Sequence, residues 1–105
     1  MSSTPDDRIA ALCDPFLALE TKETCRKFFA DIWTPNEVRA LANRWQAILL
    51  LHEGLDQRTV ARRLSIAIAT VEKAAQVLKK PNGACVPLIT RHRLHSLDYP
   101  MQNDK

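Results

Sequence analysis

At 105 residues the chain has the length of one domain, and 26% of its residues are charged. No apolar run approaches the roughly 20 residues of a membrane-spanning helix. The N-terminus lacks the basic start and apolar stretch of a secretion signal, and none of the three cysteines belongs to a Cys-x-x-Cys pair. These features argue against a membrane protein, a disulfide framework and a zinc site, and they predict a cytoplasmic protein.

The positive charge is concentrated in one segment. Residues 54–80 contain two acidic and six basic residues, a net charge of +4, whereas residues 1–53 have a net charge of −2 and residues 81–105 of +1. A protein surface that binds phosphates needs such a concentration, although a solvated basic face gives the same count.

The first two predicted elements are amphipathic helices. In the first, apolar residues recur at steps of three and four, at Ile9, Leu12, Phe16 and Leu19. Pro15 either kinks this helix or marks a restart capped by Asp14. Thr21 can cap the second helix, which places Cys25, Phe28, Phe29 and Ile32 on one apolar face. A buried thiol is therefore expected at Cys25.

The third predicted helix begins at a strong start signal and ends in an unusually apolar stretch. Thr34 can cap it, Pro35 suits its first turn and Glu37 completes a capping box. We expect it to run to about Glu53, where Gly54 supplies a left-handed stop. Residues 48–51 make its last turns apolar on nearly every side, and a lone chain of this size is expected to lack the material to cover them. A partner subunit is therefore predicted.

The next two helices match a helix-turn-helix over about residues 56–80. Asp56 can cap a helix from Gln57 to about Leu64, and a short turn over residues 65–67 leads into a fifth helix that ends near Lys80. Small or apolar residues stand where two such helices cross, at Val60, Ala61, Leu64, Ile66, Val71 and Ala74. Ser65 stands where glycine is commonest, which requires a left-handed serine. The helical domain is predicted over residues 1–80, and residues 81–105 are expected to be an irregular tail.

The geometry of a helix-turn-helix indicates which of its residues contact DNA. The start and outer side of its second helix face base edges and phosphates, and the start of its first helix lies over the backbone. The predicted DNA-binding residues are Gln57, Arg58, Ala67, Ile68, Ala69, Thr70 and Lys73. The alternative from spacing alone is a generic helical hairpin with a basic surface. Glu72 lies on the same helix, where it either accepts a hydrogen bond from a cytosine amino group or pairs with a neighbouring side chain.

Several short motifs together resemble the Trp repressor superfamily. They are residues 34–37, Ala40-Leu41, Arg44, Gly54, Gln57-Arg58 and residues 68–70. Residues 25–31 and 41–44 are similar to its YerC/YecD branch, and the resemblance covers roughly residues 9–80. It implies an all-α, intertwined homodimer whose two helix-turn-helix units enter successive major grooves of double-stranded DNA. The expected function is that of a transcriptional regulator, with repression as the expected mode.

The same resemblance implies an effector pocket that this chain has altered. Arg44 matches one of two arginines that sandwich L-tryptophan in the Trp repressor, and Thr34 matches a residue that lines the pocket. Lys73 stands in place of the second arginine, and Val77 in place of a serine beside the amino group. Lysine lacks the planar guanidinium that stacks on an indole, and valine accepts no hydrogen bond. We therefore expect no cofactor and little response to tryptophan.

Two other classes of function are considered. The chain shows no catalytic Ser/His/Asp or Cys/His arrangement and no glycine-rich phosphate loop, which argues against an enzyme. His92 and His95 have a spacing that can hold a metal, but no further ligand lies close by, so no metal site is predicted. The remaining rival is a helical dimer that binds another protein without specific DNA binding.

Overall fold

The computed structural model describes residues 2–97, and within that range the chain forms six α-helices and no strands. The all-α prediction is confirmed. No helix in this range is long and apolar enough to cross a membrane. The helices are α1 (Pro5–Ala18), α2 (Lys22–Ile32), α3 (Pro35–His52), α4 (Gln57–Leu64), α5 (Ile68–Leu78) and α6 (Cys85–His92). The described residues divide into two compact units, residues 2–38 and 39–97.

Side-chain caps set the starts of the first four helices. Thr4 caps α1 and Thr21 caps α2. At α3 the Thr34 hydroxyl accepts from the Glu37 N–H at 3.2 Å, and the Glu37 carboxylate accepts from the Thr34 N–H at 2.8 Å. Both caps predicted for α2 and α3 are confirmed. Of the two alternatives at Pro15, a restart is excluded, because α1 continues through this residue to Ala18.

Residues 2–38 are held together by aromatic side chains rather than by a closed core. Phe16 packs edge-on against Phe28 and Trp33, with ring centroids 5.4 and 6.2 Å apart. Phe29 lies 5.6 Å from Trp33. Neither α1 nor α2 contains a buried residue, and the thiol of Cys25 is half-buried rather than fully buried as expected. Apolar side chains therefore remain exposed on this unit.

The core of the second unit covers the apolar end of α3. Ile48, Leu49 and Leu50 are at most 4% exposed. They pack in one cluster with side chains from three other helices, Val60 of α4, Val71 and Ala74 of α5, and Ile89 of α6. The expectation that one chain lacks the material to cover residues 48–50 is wrong. These turns consequently give no argument for a partner subunit.

Helix α6 lies in the segment that the sequence led us to expect as irregular. It occupies Cys85–His92, and its Ile89 side chain is 3% exposed. Pro87 reads as a helix breaker, yet it falls in the first turn, where the missing N–H needs no partner. Two helical turns are also too short to show a clear periodicity. The domain boundary predicted at residue 80 stays a prediction, and Asp98–Lys105 of the predicted tail lie outside the described residues.

Candidate nucleic-acid interface

The turn between α4 and α5 adopts the conformation that a helix-turn-helix requires. Ser65 lies in the left-handed region, with φ 54° and ψ 48°. The Ile66 N–H donates to the Ala61 carbonyl oxygen at 3.1 Å, which closes the end of α4. The chain then enters α5 through Ala67, whose backbone is extended. The left-handed serine predicted at residue 65 is confirmed.

The inner faces of α4 and α5 anchor the pair to the core. Val60, Val71 and Ala74 have no exposed surface. Ala61, Leu64 and Ile66 are half-buried and pack against the same cluster. All six positions predicted for the crossing of the two helices therefore contact the core, three of them fully buried and three half-buried. This anchoring fixes which side of α5 faces solvent.

The start and outer side of α5 are accessible. Ala67, Ile68, Ala69 and Lys73 are exposed, and Thr70 is half-buried. No side chain caps the start of α5, in contrast to the threonine and aspartate caps of α1–α4. Small or methyl-bearing side chains and uncapped backbone N–H groups are therefore accessible at the first turn of α5.

The start of α4 has a different electrostatic character. The Asp56 carboxylate accepts from the Thr59 N–H at 2.8 Å, and this hydrogen bond is the main cause that lowers the pKa of Asp56. A carboxylate thus occupies this helix N-terminus at neutral pH. Arg58 is exposed and Gln57 is half-buried. A phosphate at this position would contact the Arg58 side chain rather than the backbone amides at the start of α4.

Four further cations accompany the predicted contact residues. Arg62 and Arg63 are exposed in the last turn of α4, and Lys79 and Lys80 are exposed after α5. The charge count included them, but the helix-turn-helix pattern did not assign them a role. Glu72 is exposed, and its carboxylate has no hydrogen-bond or ion-pair partner within residues 2–97. The expected pairing with a neighbouring side chain is therefore not seen, and the cytosine contact stays a prediction.

The residues predicted to line an effector pocket have distinct environments. The Thr34 hydroxyl is engaged in the α3 cap. Arg44 and Lys73 are exposed, whereas Val77 is half-buried and packs against the core cluster. Two open surface pockets, of about 440 and 510 Å³, are lined by other residues. The pocket therefore stays a prediction. Within residues 2–97 no three His, Cys, Asp or Glu side chains are grouped to hold a metal.

Known proteins share both the sequence pattern and this fold. Residues 7–93 match the family described as Trp repressor protein. The chain belongs to the Trp repressor family. The match extends beyond the predicted range of 9–80 and includes all of α6.

Two individual proteins support this assignment. The chain is 30% identical over 73 residues to the uncharacterized protein YerC of Bacillus subtilis (strain 168). The aligned residues cover 70% of each of the two chains. It also resembles the crystal structure of a candidate Trp repressor from Staphylococcus aureus. That likeness has a TM-score of 0.76 and 25% identity and covers 90% of this chain and 99% of the other. The resemblance to the YerC branch of the family is confirmed.

Proposed function

We propose that this member of the Trp repressor family is a cytoplasmic, homodimeric transcriptional regulator that binds specific double-stranded DNA and acts as a repressor. The arrangement of α5 supports the proposal most directly. Val71 and Ala74 hold one side of the helix in the core, while residues 67–69 and Lys73 lie on the accessible side. A recognition helix needs this division, because it must reach into a major groove while the body of the protein stays outside.

The surrounding charge favours DNA over a protein partner. Residues 54–80 carry the net charge of +4. All six of their cations are exposed, at Arg58, Arg62, Arg63, Lys73, Lys79 and Lys80. Phosphate contacts supply much of the affinity of DNA-binding proteins. Contacts at Arg58 and Lys73 would orient the protein, whereas Ile68, Ala69 and Thr70 would reach the bases.

The exposed apolar side chains of residues 2–38 support the homodimer. Ile9 is 64% exposed and Leu17 is 84% exposed on α1, and Ile32 of α2 is 47% exposed. Side chains of α1 also line an open, almost wholly apolar surface groove of about 510 Å³. Exposed apolar surface of this kind marks an association site in soluble proteins. A second copy of the chain would cover it in a symmetric dimer, as is commonest among oligomers.

Insensitivity to tryptophan is part of the proposal. Val77 packs against apolar neighbours and offers no acceptor for an ammonium group. Lys73 is exposed and has no planar group to stack on an indole. A different small effector remains compatible with these residues, but tryptophan does not suit them.

Selection from random duplex DNA with the purified protein tests the proposed function. We expect one motif to be enriched, with two related half-sites about one helical turn apart, because each protomer would place one α5 in a major groove. The Arg58→Ala, Lys73→Ala double variant should retain far less duplex of any sequence, because both side chains are proposed to contact phosphates. The Arg26→Ala, Lys27→Ala double variant of α2 should retain as much duplex as the wild type and enrich the same motif. Failure of the wild-type protein to enrich any motif would overturn sequence-specific binding and favour the protein-binding alternative.

A further inference from the structure

A carboxylate at the end of α3 binds the chain segment that follows α6. The Glu53 side chain accepts from the Ser96 N–H at 2.6 Å and from the Ser96 hydroxyl at 2.7 Å, one bond to each carboxylate oxygen. Ser96 is 2% exposed. Next to it, the Leu97 N–H donates to the Gln46 side-chain oxygen at 3.0 Å. Hydrogen bonds to a charged carboxylate are short and about twice as strong as neutral ones.

These bonds join parts of the chain that are distant in sequence. Glu53 and Ser96 are 43 residues apart, and residues 94–97, the C-terminal segment, lie beyond the 7–93 match to the family. His95 also contacts this site, with its Nδ1 atom 3.2 Å from the Ser96 carbonyl oxygen. These bonds therefore attach the C-terminal segment, which follows the matched residues, to the residue that ends α3.

The residue that holds the C-terminal segment also begins the connection from α3 to α4. Glu53 is followed by Gly54 with φ +104°, by Leu55, and by Asp56, the cap of α4. Backbone bonds from the Gly54 and Leu55 N–H groups return to α3, at 3.0 and 3.2 Å. A Cβ atom on Gly54 would meet no other atom within 4 Å, so the connection is open on that side. The bonds to Ser96 therefore restrain Glu53, which is the first residue of this connection.

We propose that Glu53 and Ser96 are positioning residues for DNA binding, and that the C-terminal segment holds the α3–α4 connection in the conformation that orients the helix-turn-helix. This inference rests on the proposed function. The Glu53–Ser96 bonds lie outside the apolar cluster that contains Val60, Val71 and Ala74. Their loss should leave the α4–α5 pair folded while its entry point becomes mobile, so that DNA binding must first restore the orientation.

Glu53→Gln removes the charge and one of the two acceptor oxygens, and Ser96→Ala removes the hydroxyl donor, so the two variants weaken the site in independent ways. Glu20→Gln and Ser3→Ala are matched controls, because each makes the same chemical change at an exposed residue. The duplex affinity of the full-length protein is measured well below the unfolding temperature, over a series of salt concentrations. We expect roughly five- to fiftyfold weaker binding in the two test variants and no change in the controls.

Two additional readouts separate positioning from general destabilisation. The slope of log affinity against log salt should stay unchanged, because the phosphate-binding side chains are all still present. Hydrogen exchange at the Leu55 amide should accelerate, while exchange at core amides such as that of Val71 should not. Ser96→Thr retains the hydroxyl and should restore most of the affinity that Ser96→Ala loses.

The outcomes distinguish the inference from the function on which it rests. Wild-type protein that binds no duplex overturns the proposed function, and this inference with it. Wild-type protein that binds, with both test variants binding equally well, overturns the inference alone. An affinity loss that vanishes after correction for the unfolded fraction also overturns it. If Glu53→Gln does not fold, Ser96→Ala decides, because it keeps the bond between the Glu53 carboxylate and the residue-96 amide.

Discussion

The Ile66 N–H donates to the carbonyl oxygen of Ala61 at 3.1 Å, across the turn that joins the two helices of the helix-turn-helix. Between these two residues the chain turns through Ser65, which has φ 54°. Glycine adopts this conformation without the steric cost that a Cβ atom brings. The protein therefore tolerates local strain at the residue that sets the angle between α4 and α5.

Ser65→Gly should stabilise the protein. Relief of the left-handed strain outweighs the extra freedom of glycine in the unfolded chain, so the free energy of unfolding should rise by about 0.5–1 kcal/mol. Arg63→Gly, two residues earlier inside α4, should lower it by a similar amount, because its backbone is helical. Denaturant unfolding of both variants checks this pair. Equal losses in the two variants would show that residue 65 is not strained.

A folded dimer is expected at micromolar concentration. Sedimentation equilibrium should give twice the mass of the chain, and Leu17→Glu should shift the protein toward monomer by placing a charge in the apolar surface of α1. Leu97→Glu is the matched control, because Leu97 is 89% exposed and Leu17 is 84% exposed. A wild-type protein that sediments as a folded monomer would refute the dimer.

L-tryptophan should bind weakly and leave DNA affinity unchanged. Lys73 and Val77 lack the stacking plane and the acceptor that the amino acid needs. Isothermal titration calorimetry measures the binding, and a duplex titration with and without tryptophan measures the coupling. A dissociation constant in the micromolar range, or a tighter DNA complex with tryptophan, would show that the pocket is intact.

The cap at α4 should make stability depend on acid pH. Hydrogen bonding to Thr59 holds the pKa of Asp56 below its ordinary value of 3.8. A depressed pKa stabilises the folded state above the unfolded pKa, and this contribution is lost as the pH falls through the folded pKa. Asp56→Asn keeps a capping oxygen but does not titrate. Its melting temperature should therefore fall less than that of the wild type between about pH 5 and 3. Parallel melting curves would contradict this.

The sequence predicted the features that depend on neighbouring residues. The Thr34–Glu37 box, the Asp56 cap and the left-handed Ser65 each involve residues within three positions, so spacing alone indicated them. The accessible residues of α5 followed from helical geometry once the inner face was assigned.

Longer-range features were missed for a physical reason. Ile89 covers the end of α3 from a helix of two turns, and nothing local in residues 85–92 indicates that partner. Nothing distinguishes Ser96 from the other three serines of the chain until Glu53, 43 residues away, is placed beside it. The roles of the DNA-contact and effector residues stay predictions, because they depend on molecules that neither the sequence nor the fold contains.

Two classes of substitution should separate phosphate-binding side chains from base-reading ones. Arg58→Ala and Lys73→Ala should weaken binding to preferred and scrambled duplexes alike. Each should also flatten the salt slope by about 0.9 for every phosphate that the protein no longer neutralises. Thr70→Ala should relax the preference between the two duplexes more than it lowers the affinity for the scrambled one. Arg26→Ala on α2 is the control and should change neither. A loss confined to the preferred duplex in Arg58→Ala would mean that the assigned docking orientation is wrong.

The salt dependence of wild-type binding to the selected duplex tests the central claim most directly. If α4 and α5 bind DNA through phosphates and bases, the affinity should fall steeply, by at least roughly tenfold, between about 50 and 200 mM salt. It should also exceed the affinity for the scrambled duplex at every salt concentration. An affinity that does not change with salt, or that is equal for both duplexes throughout, would contradict sequence-specific DNA binding by this protein.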